Sequence, residues 1–180
     1  MFATWPAAPK AARKSRPPNS GRAYHSAVLI QMSRWGPAAL ASGVDLDGLK
    51  ALLETGGRLL ELPEDTVTVL TLTGDDHLRE YNRRYRGLDE TTDVLAFAAK
   101  EKPTDQRFQS PPGTDDWLGD IVISLPQARR QAKAAGHLIN DEVRLLAVHG
   151  LLHLIGYDHA LPNDEELMTS MTNRILDASR

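Results

Sequence analysis

His149-Gly150-Leu151-Leu152-His153-Leu154-Ile155-Gly156-Tyr157-Asp158-His159 is the stretch from which the organisation of this 180-residue chain is read. Three of the six histidines in the chain fall within it, at relative positions 0, 4 and 10. Upstream, Asn140, Asp141 and Glu142 open an apolar-periodic run of Val143, Leu146, Ala147, Gly150, Leu151 and Leu154, the pattern of a helix with an N-cap and an acidic first turn. Residues four apart lie one above the other on a helix face, about 6 Å along the axis, so the imidazoles of His149 and His153 can face one ion. Gly156 stands where a helix end needs a left-handed residue, and the turn Gly156-Tyr157-Asp158 can swing His159 back toward the pair.

Three neutral histidines without a fourth protein ligand are the composition of a catalytic zinc site, because structural sites are closed by four ligands, mostly cysteine. This chain has no cysteine. An ion held by His149, His153 and His159, zinc by this reading, keeps an open position for water and lowers its pKa from 15.7 to roughly 7, which makes hydrolysis the natural chemistry. An H-x-x-x-H pair alone is more often two surface or core histidines; the added glycine and third histidine shift the balance to metal binding. The spacing is that of the metzincin proteases, H-E-x-x-H-x-x-G-x-x-H. Gly150 stands where such a protease carries the glutamate that serves as general base. The ligand spacing is kept and the peptidase base is missing.

Around this stretch the composition is that of a soluble globular protein, 41% hydrophobic and 25% charged, and the length suits one domain. No apolar run approaches the 18 or more residues of a membrane span, so no membrane partner is expected. The lack of cysteine fits a reducing compartment. The net charge of −3 is unevenly spread: residues 1–44 hold no acidic residue and six basic ones, leaving −9 on the remainder. Residues 1–22 mix Pro, Ala and basic residues without periodicity and read as a disordered basic extension, with residues 23–180 as a single domain. A cytoplasmic, bacterial setting is expected; a transit peptide is the lesser alternative, since the prolines spoil an amphipathic helix.

Between these ends the pattern predicts strands at Ala27–Met32, Thr66–Thr73, Thr91–Phe97 and Trp117–Ser124. Helices are predicted from Asp45 to before Pro63, over His77–Arg84 and Gln127–Ala135, through the histidine stretch, and over Asp164–Ala178. Thr66–Thr73 alternates threonine with aliphatics and is the clearest strand. Residues 98–116 read as a polar, proline-containing loop. The order β-α-β-α-β-β-α-α-α implies an α+β fold: a mixed sheet of about four strands packed with helices, the metal-site helix near the C-terminus.

Taken together, H-G-L-L-H-L-I-G-Y-D-H (His149 to His159), N-R-R-Y-R-G-L-D-E-T-T-D-V-L-A-F (Asn82 to Phe97) and L-G-D-I-V-I-S (Leu118 to Ser124) resemble the YbeY family of ribosomal RNA maturation endoribonucleases, over roughly Ala27 to Ala178. The resemblance implies a single-strand-specific, metal-dependent endoribonuclease that matures the 3′ end of small-subunit ribosomal RNA and serves ribosome quality control. It implies RNA and the small ribosomal subunit as partners, and His149, His153 and His159 as ligands of one Zn2+. It also implies that Arg86, in Y-R-G, corresponds to an arginine required for activity. Ala96 and Ala98 depart from the family's T-D-V-L-S-F-P. The competing readings are a metzincin-like metallopeptidase and a non-catalytic ribosome-assembly factor with a structural zinc.

Beside Arg86 stand Arg79, Arg83 and Arg84, a local basic cluster suited to phosphates, and Arg129, Arg130 and Lys133 are candidates to extend an RNA track. Asp93 and Asp120 lie in otherwise apolar strands, where each is read as either a hydrogen-bond partner of a ligand imidazole or a structural cap. Asp158 reads as a turn residue, Glu142 as an ordinary first-turn acid, and His25, His77 and His137 as isolated surface or loop histidines.

Overall fold

The alternation between Thr66 and Thr73 yields the strand on which the sheet is built. The computed structural model describes residues 29–34, 43–63, 65–99, 117–157 and 162–180. The expected extension over residues 1–22, and all but the first two residues of the expected 98–116 loop, lie outside this set. The elements are β1 (Leu29–Arg34), α1 (Leu46–Leu59), β2 (Val67–Thr73), α2 (Asp75–Arg86), β3 (Val94–Ala98), β4 (Trp117–Ser124), α3 (Leu125–Ala135), α4 (Ile139–Leu154) and α5 (Pro162–Ala178). They form an α+β fold on a mixed sheet of order β1-β2-β4-β3. β1, β2 and β4 run parallel, and β3 runs antiparallel to β4 with Val94 opposite Ile123 and Ala98 opposite Gly119.

Both faces of the sheet are covered where β3 and β4 lie, and the register sorts their side chains. Ala96, Ile121 and Ile123 face a core shared with Leu70 and Leu72 of β2 and with α1, α3, α4 and α5. Leu95, Phe97 and Val122 face the other way and pack with Leu78 of α2, flanked by Tyr81, Tyr85 and Trp117. The regular alternation of β2 does not keep one residue type per face. Thr66, Thr68, Leu70 and Leu72 share a side, so Thr66 and Thr68 are buried, and the Thr68 hydroxyl has no hydrogen-bond partner among the described residues.

Several boundaries shift for identifiable reasons. β3 begins at Val94 instead of Thr91, because the Asp93 carboxylate accepts from the Val94 N–H at 2.8 Å and from the Thr92 hydroxyl at 3.2 Å, a local turn that competes with the strand. α3 starts before Pro126, because the Ser124 hydroxyl caps it by accepting from the Gln127 N–H at 3.2 Å and proline is tolerated in a first turn. α2 begins two residues before His77, with Gly74 at its N-cap, and runs to Arg86.

Candidate metal centre and the arginine-bearing turn

α4 is gripped along its whole length. The N-cap position is Leu138, without a side-chain cap, and Asn140, expected to cap, instead accepts from the Asp45 N–H of α1 at 2.8 Å. Arg144 donates to the Ser179 hydroxyl at 2.6 Å, tying the helix to the end of α5. Glu142 is more than a first-turn acid: it is 6% exposed, and its Oε2 lies 2.5 Å from Nε2 of His137, which therefore is not isolated.

Farther along, α4 presses on β4. A Cβ on Gly150 would sit 2.6 Å from Cγ2 of Ile121, and one on Gly119 would sit 2.9 Å from Cδ2 of Leu154. Gly150 and Leu154 thus form the stripe that touches the sheet. His149 and His153 each precede a member of that stripe by one residue, so both project from the adjoining flank, about 100° round the helix. Their rings are half-buried, with centroids 5.0 Å apart and planes at 81°. Two imidazoles at this separation fit a shared ion at bonds of about 2.0–2.1 Å, the length usual for zinc.

The helix then ends in a Schellman motif. Gly156, at φ +92°, donates to the His153 carbonyl at 3.0 Å and Tyr157 donates to the Leu152 carbonyl at 3.0 Å. The expected left-handed glycine is there. Asp158 and His159 lie outside the described residues, and among the described ones no third metal-ligating side chain joins the pair.

The close seat of Gly150 also gives a physical reason for the missing glutamate. A side chain at that position would point into Ile121 rather than toward the imidazoles, so this helix cannot carry the base of a metallopeptidase there.

Arg86 is the last residue of α2, which covers the opposite face of the sheet. α2 starts beside Ser124, whose hydroxyl donates to Asp75 at 2.5 Å, and reaches Phe97 with Tyr85, ring centroids 5.1 Å apart. α4 likewise descends from Ile121 to Gly119, so both helices finish at the same end of the sheet, on the two sides of edge strand β3. Arg86 is half-buried, and burial lowers its pKa from the usual value against the opposing pull of the Glu90 charge. Gly87, at φ +72°, closes the helix behind it.

The basic cluster is narrower than the sequence suggests. Arg83 and Arg84 are exposed, but Arg79 is forked onto Asp89 at 2.9 and 3.0 Å. Arg130, a candidate for an RNA track, pairs with Asp75 at 2.8 Å and with Gln127.

Neither strand aspartate serves an imidazole among the described residues. Asp93 is buried and accepts from Nε2 of Gln131 on α3 at 2.8 Å. Asp120, opposite Phe97, lies on the α2 face, away from α4; its Oδ2 is buried without a partner among the described residues, and burial pushes its pKa to about 7. His77 is exposed on α2, as expected, and His25 lies outside the described residues.

Residues 46–180 match the family model described as Endoribonuclease YbeY. The chain belongs to the YbeY family. Among its YbeY relatives, an "Endoribonuclease YbeY" of Ligilactobacillus salivarius is 40% identical over 139 residues, 72% of this chain and 85% of that protein. One from Moorella thermoacetica is 46% identical over 114 residues, covering 63% and 73%. One from Synechococcus sp. is 57% identical over 90 residues, covering 50% and 55%. The fold is similar to the solution structure of a Thermotoga maritima protein, with TM-score 0.56 and 24% identity over 84% of this chain and 89% of that one. Among the described residues no helix is long and apolar enough to cross a membrane.

Two features of this region carry little signal in the sequence pattern alone. The seat of Gly150 on Ile121 has no signal in a single sequence beyond the glycine itself. Asn82 opens the second motif, and an asparagine on the apolar face of a helix is a signal that was available.

Proposed function

We propose that this chain is a metal-dependent endoribonuclease that cleaves single-stranded RNA in ribosomal RNA maturation, acting at the 3′ end of the small-subunit RNA and on the small ribosomal subunit. One zinc ion would be held by His149, His153 and His159. Membership of a family whose relatives carry the name endoribonuclease supports the reaction class. The observation that carries the site is the half-buried imidazole pair, centroids 5.0 Å apart, on a helix whose Gly150 is closed to a peptidase base.

A bound zinc would supply a Lewis acid for the phosphodiester. The chain's own contribution is positional and electrostatic. His149 and His153 offer neutral nitrogen donors from a helix fixed at its start by Asp45 and Ser179 and along its sheet side by Ile121. Arg86 offers a planar guanidinium that takes two phosphate oxygens at once and stabilises negative charge growing on phosphorus. Its half-buried setting strengthens that attraction relative to water.

Metal analysis of the purified protein beside cleavage of a single-stranded RNA oligonucleotide tests this reading. Wild type should hold about one zinc per chain, a stoichiometry set by a three-histidine site. His153→Ala should stay folded and lose both the metal and the cleavage. A folded His153→Ala that still cuts RNA would refute the site.

A further inference from the structure

We propose that Asn82 is a positioning residue for Arg86: its side chain clasps the turn Gly87–Glu90 to α2 and so sets the direction in which the guanidinium leaves the helix. The inference rests on the reading, given above, that Arg86 grips substrate phosphate.

Asn82 and Arg86 are four residues apart, one above the other on α2. Asn82 is 1% exposed and holds the turn at two points. Its side-chain Nδ2 donates to the Glu90 carbonyl at 2.9 Å, and its main-chain carbonyl accepts the Leu88 N–H at 3.3 Å. On the outer side, the fork from Arg79 to Asp89 holds a third point. The residue immediately after Arg86 is the left-handed Gly87. The chain that follows Arg86 is thus held to α2 by the backbone bonds of the helix end and by the Asn82 side chain, which is the buried side-chain part of the clasp.

The bond to Glu90 accounts for an amide at this buried helix position. Asn82 stands one turn after Leu78 on α2 and is almost fully buried, where a leucine would avoid the desolvation cost of an amide. Oδ1 of Asn82 is buried and has no hydrogen-bond partner among the described residues. Among the described residues the side chain bonds through its Nδ2 donation to Glu90. The same turn carries Glu90, whose charge acts on Arg86.

The test is a double-mutant cycle on the zinc-loaded full chain, with kcat and KM measured on a single-stranded RNA oligonucleotide for wild type, Asn82→Leu, Arg86→Ala and the pair. Thermal denaturation of each accompanies the kinetics. Asn82→Leu should stay folded and lose roughly ten- to a hundredfold in kcat/KM, the scale of a misplacement of about 1 Å. The pair should be no slower than Arg86→Ala alone, because a clasp acting through Arg86 has nothing to place once the guanidinium is gone. A loss from Asn82→Leu of equal factor with and without Arg86, or no loss at all, overturns the positioning role. Arg86→Ala as active as wild type overturns the underlying reading together with it, and is recognised by that single variant. If Asn82→Leu fails to fold, Asn82→Ser, whose hydroxyl is too short to reach the Glu90 carbonyl, enters the same cycle with the same two outcomes.

Discussion

Gly150→Ala probes the seat of the histidine helix with the least possible change. The new Cβ would stand 2.6 Å from Cγ2, 3.2 Å from Cγ1 and 3.4 Å from Cδ1 of Ile121. Ordinary contact starts at about 3.4 Å, so the closest pair must separate by about 0.8 Å. Ile121 is fully buried, and three of its carbons crowd the same point, so rotating its side chain does not clear the overlap. α4 must lift from β4. Overpacking of this kind costs about 1–3 kcal/mol, and replacing glycine by alanine inside a helix returns about 1 kcal/mol. The net destabilisation is then about 0–2 kcal/mol, and at roughly 2–4 °C per kcal/mol for a chain of this size the melting temperature falls by several degrees at most. The effect on function is disproportionate, since His149 and His153 ride on the lifted helix and a displacement near 1 Å can cost about a hundredfold. Zinc affinity by competition with a chelator, RNA cleavage and calorimetry should show a protein almost as stable as wild type but poor in both metal and activity. Adding Ile121→Ala, which removes all three crowded carbons, should recover part of the zinc affinity and give a less than additive loss of stability. A Gly150→Ala protein that melts higher and keeps wild-type zinc affinity and rate would refute the close seating of α4.

Two further expectations concern buried carboxyls. Asp120 has its pKa raised on folding, to about 7, so the folded state binds its proton more tightly than the unfolded one. The stability this provides is complete below the unfolded value of about 4 and is lost as pH rises through about 7. Asp120→Asn should therefore flatten the dependence of the urea midpoint on pH between 5 and 8 and stabilise the protein most at the alkaline end; an unchanged profile would rule this out. His137→Ala leaves Glu142, 6% exposed, without the imidazole now 2.5 Å away, and should cost about 1–3 kcal/mol in denaturant unfolding. Replacing both partners with apolar residues should cost less than removing the histidine alone, and the reverse order would show that the pair contributes nothing specific.

Much of this architecture was legible because periodicity reports burial. The helix from Asp45 carries its N-cap in the sequence, with Asp45 accepting from the Gly48 N–H at 2.9 Å, and β4 spans the residues its pattern predicts, Trp117–Ser124. The histidine spacing likewise predicted that His149 and His153 would share one flank, which follows from helix geometry alone. What periodicity could not supply were long-range polar partners. Gln131 meets Asp93 because α3 lies beside the start of β3, and Asn140 meets Asp45 because the starts of α4 and α1 adjoin, and no local rule pairs them. The parity of β2 was also opaque: alternation says that two faces differ but not which one meets the core, and here buried threonines share a side with Leu70 and Leu72. Arg79 was a reasonable phosphate ligand by position until its carboxylate partner, ten residues away, came into view.

α4 is the most widely packed of the helices, with α1, α3, α5, β3 and β4 all against it and a buried residue in each of its turns. A pair of donor atoms mounted on so constrained a post has little liberty to follow the preferences of whichever ion arrives. In the proposed site, discrimination among cations would then rest on a spacing that the helix sets.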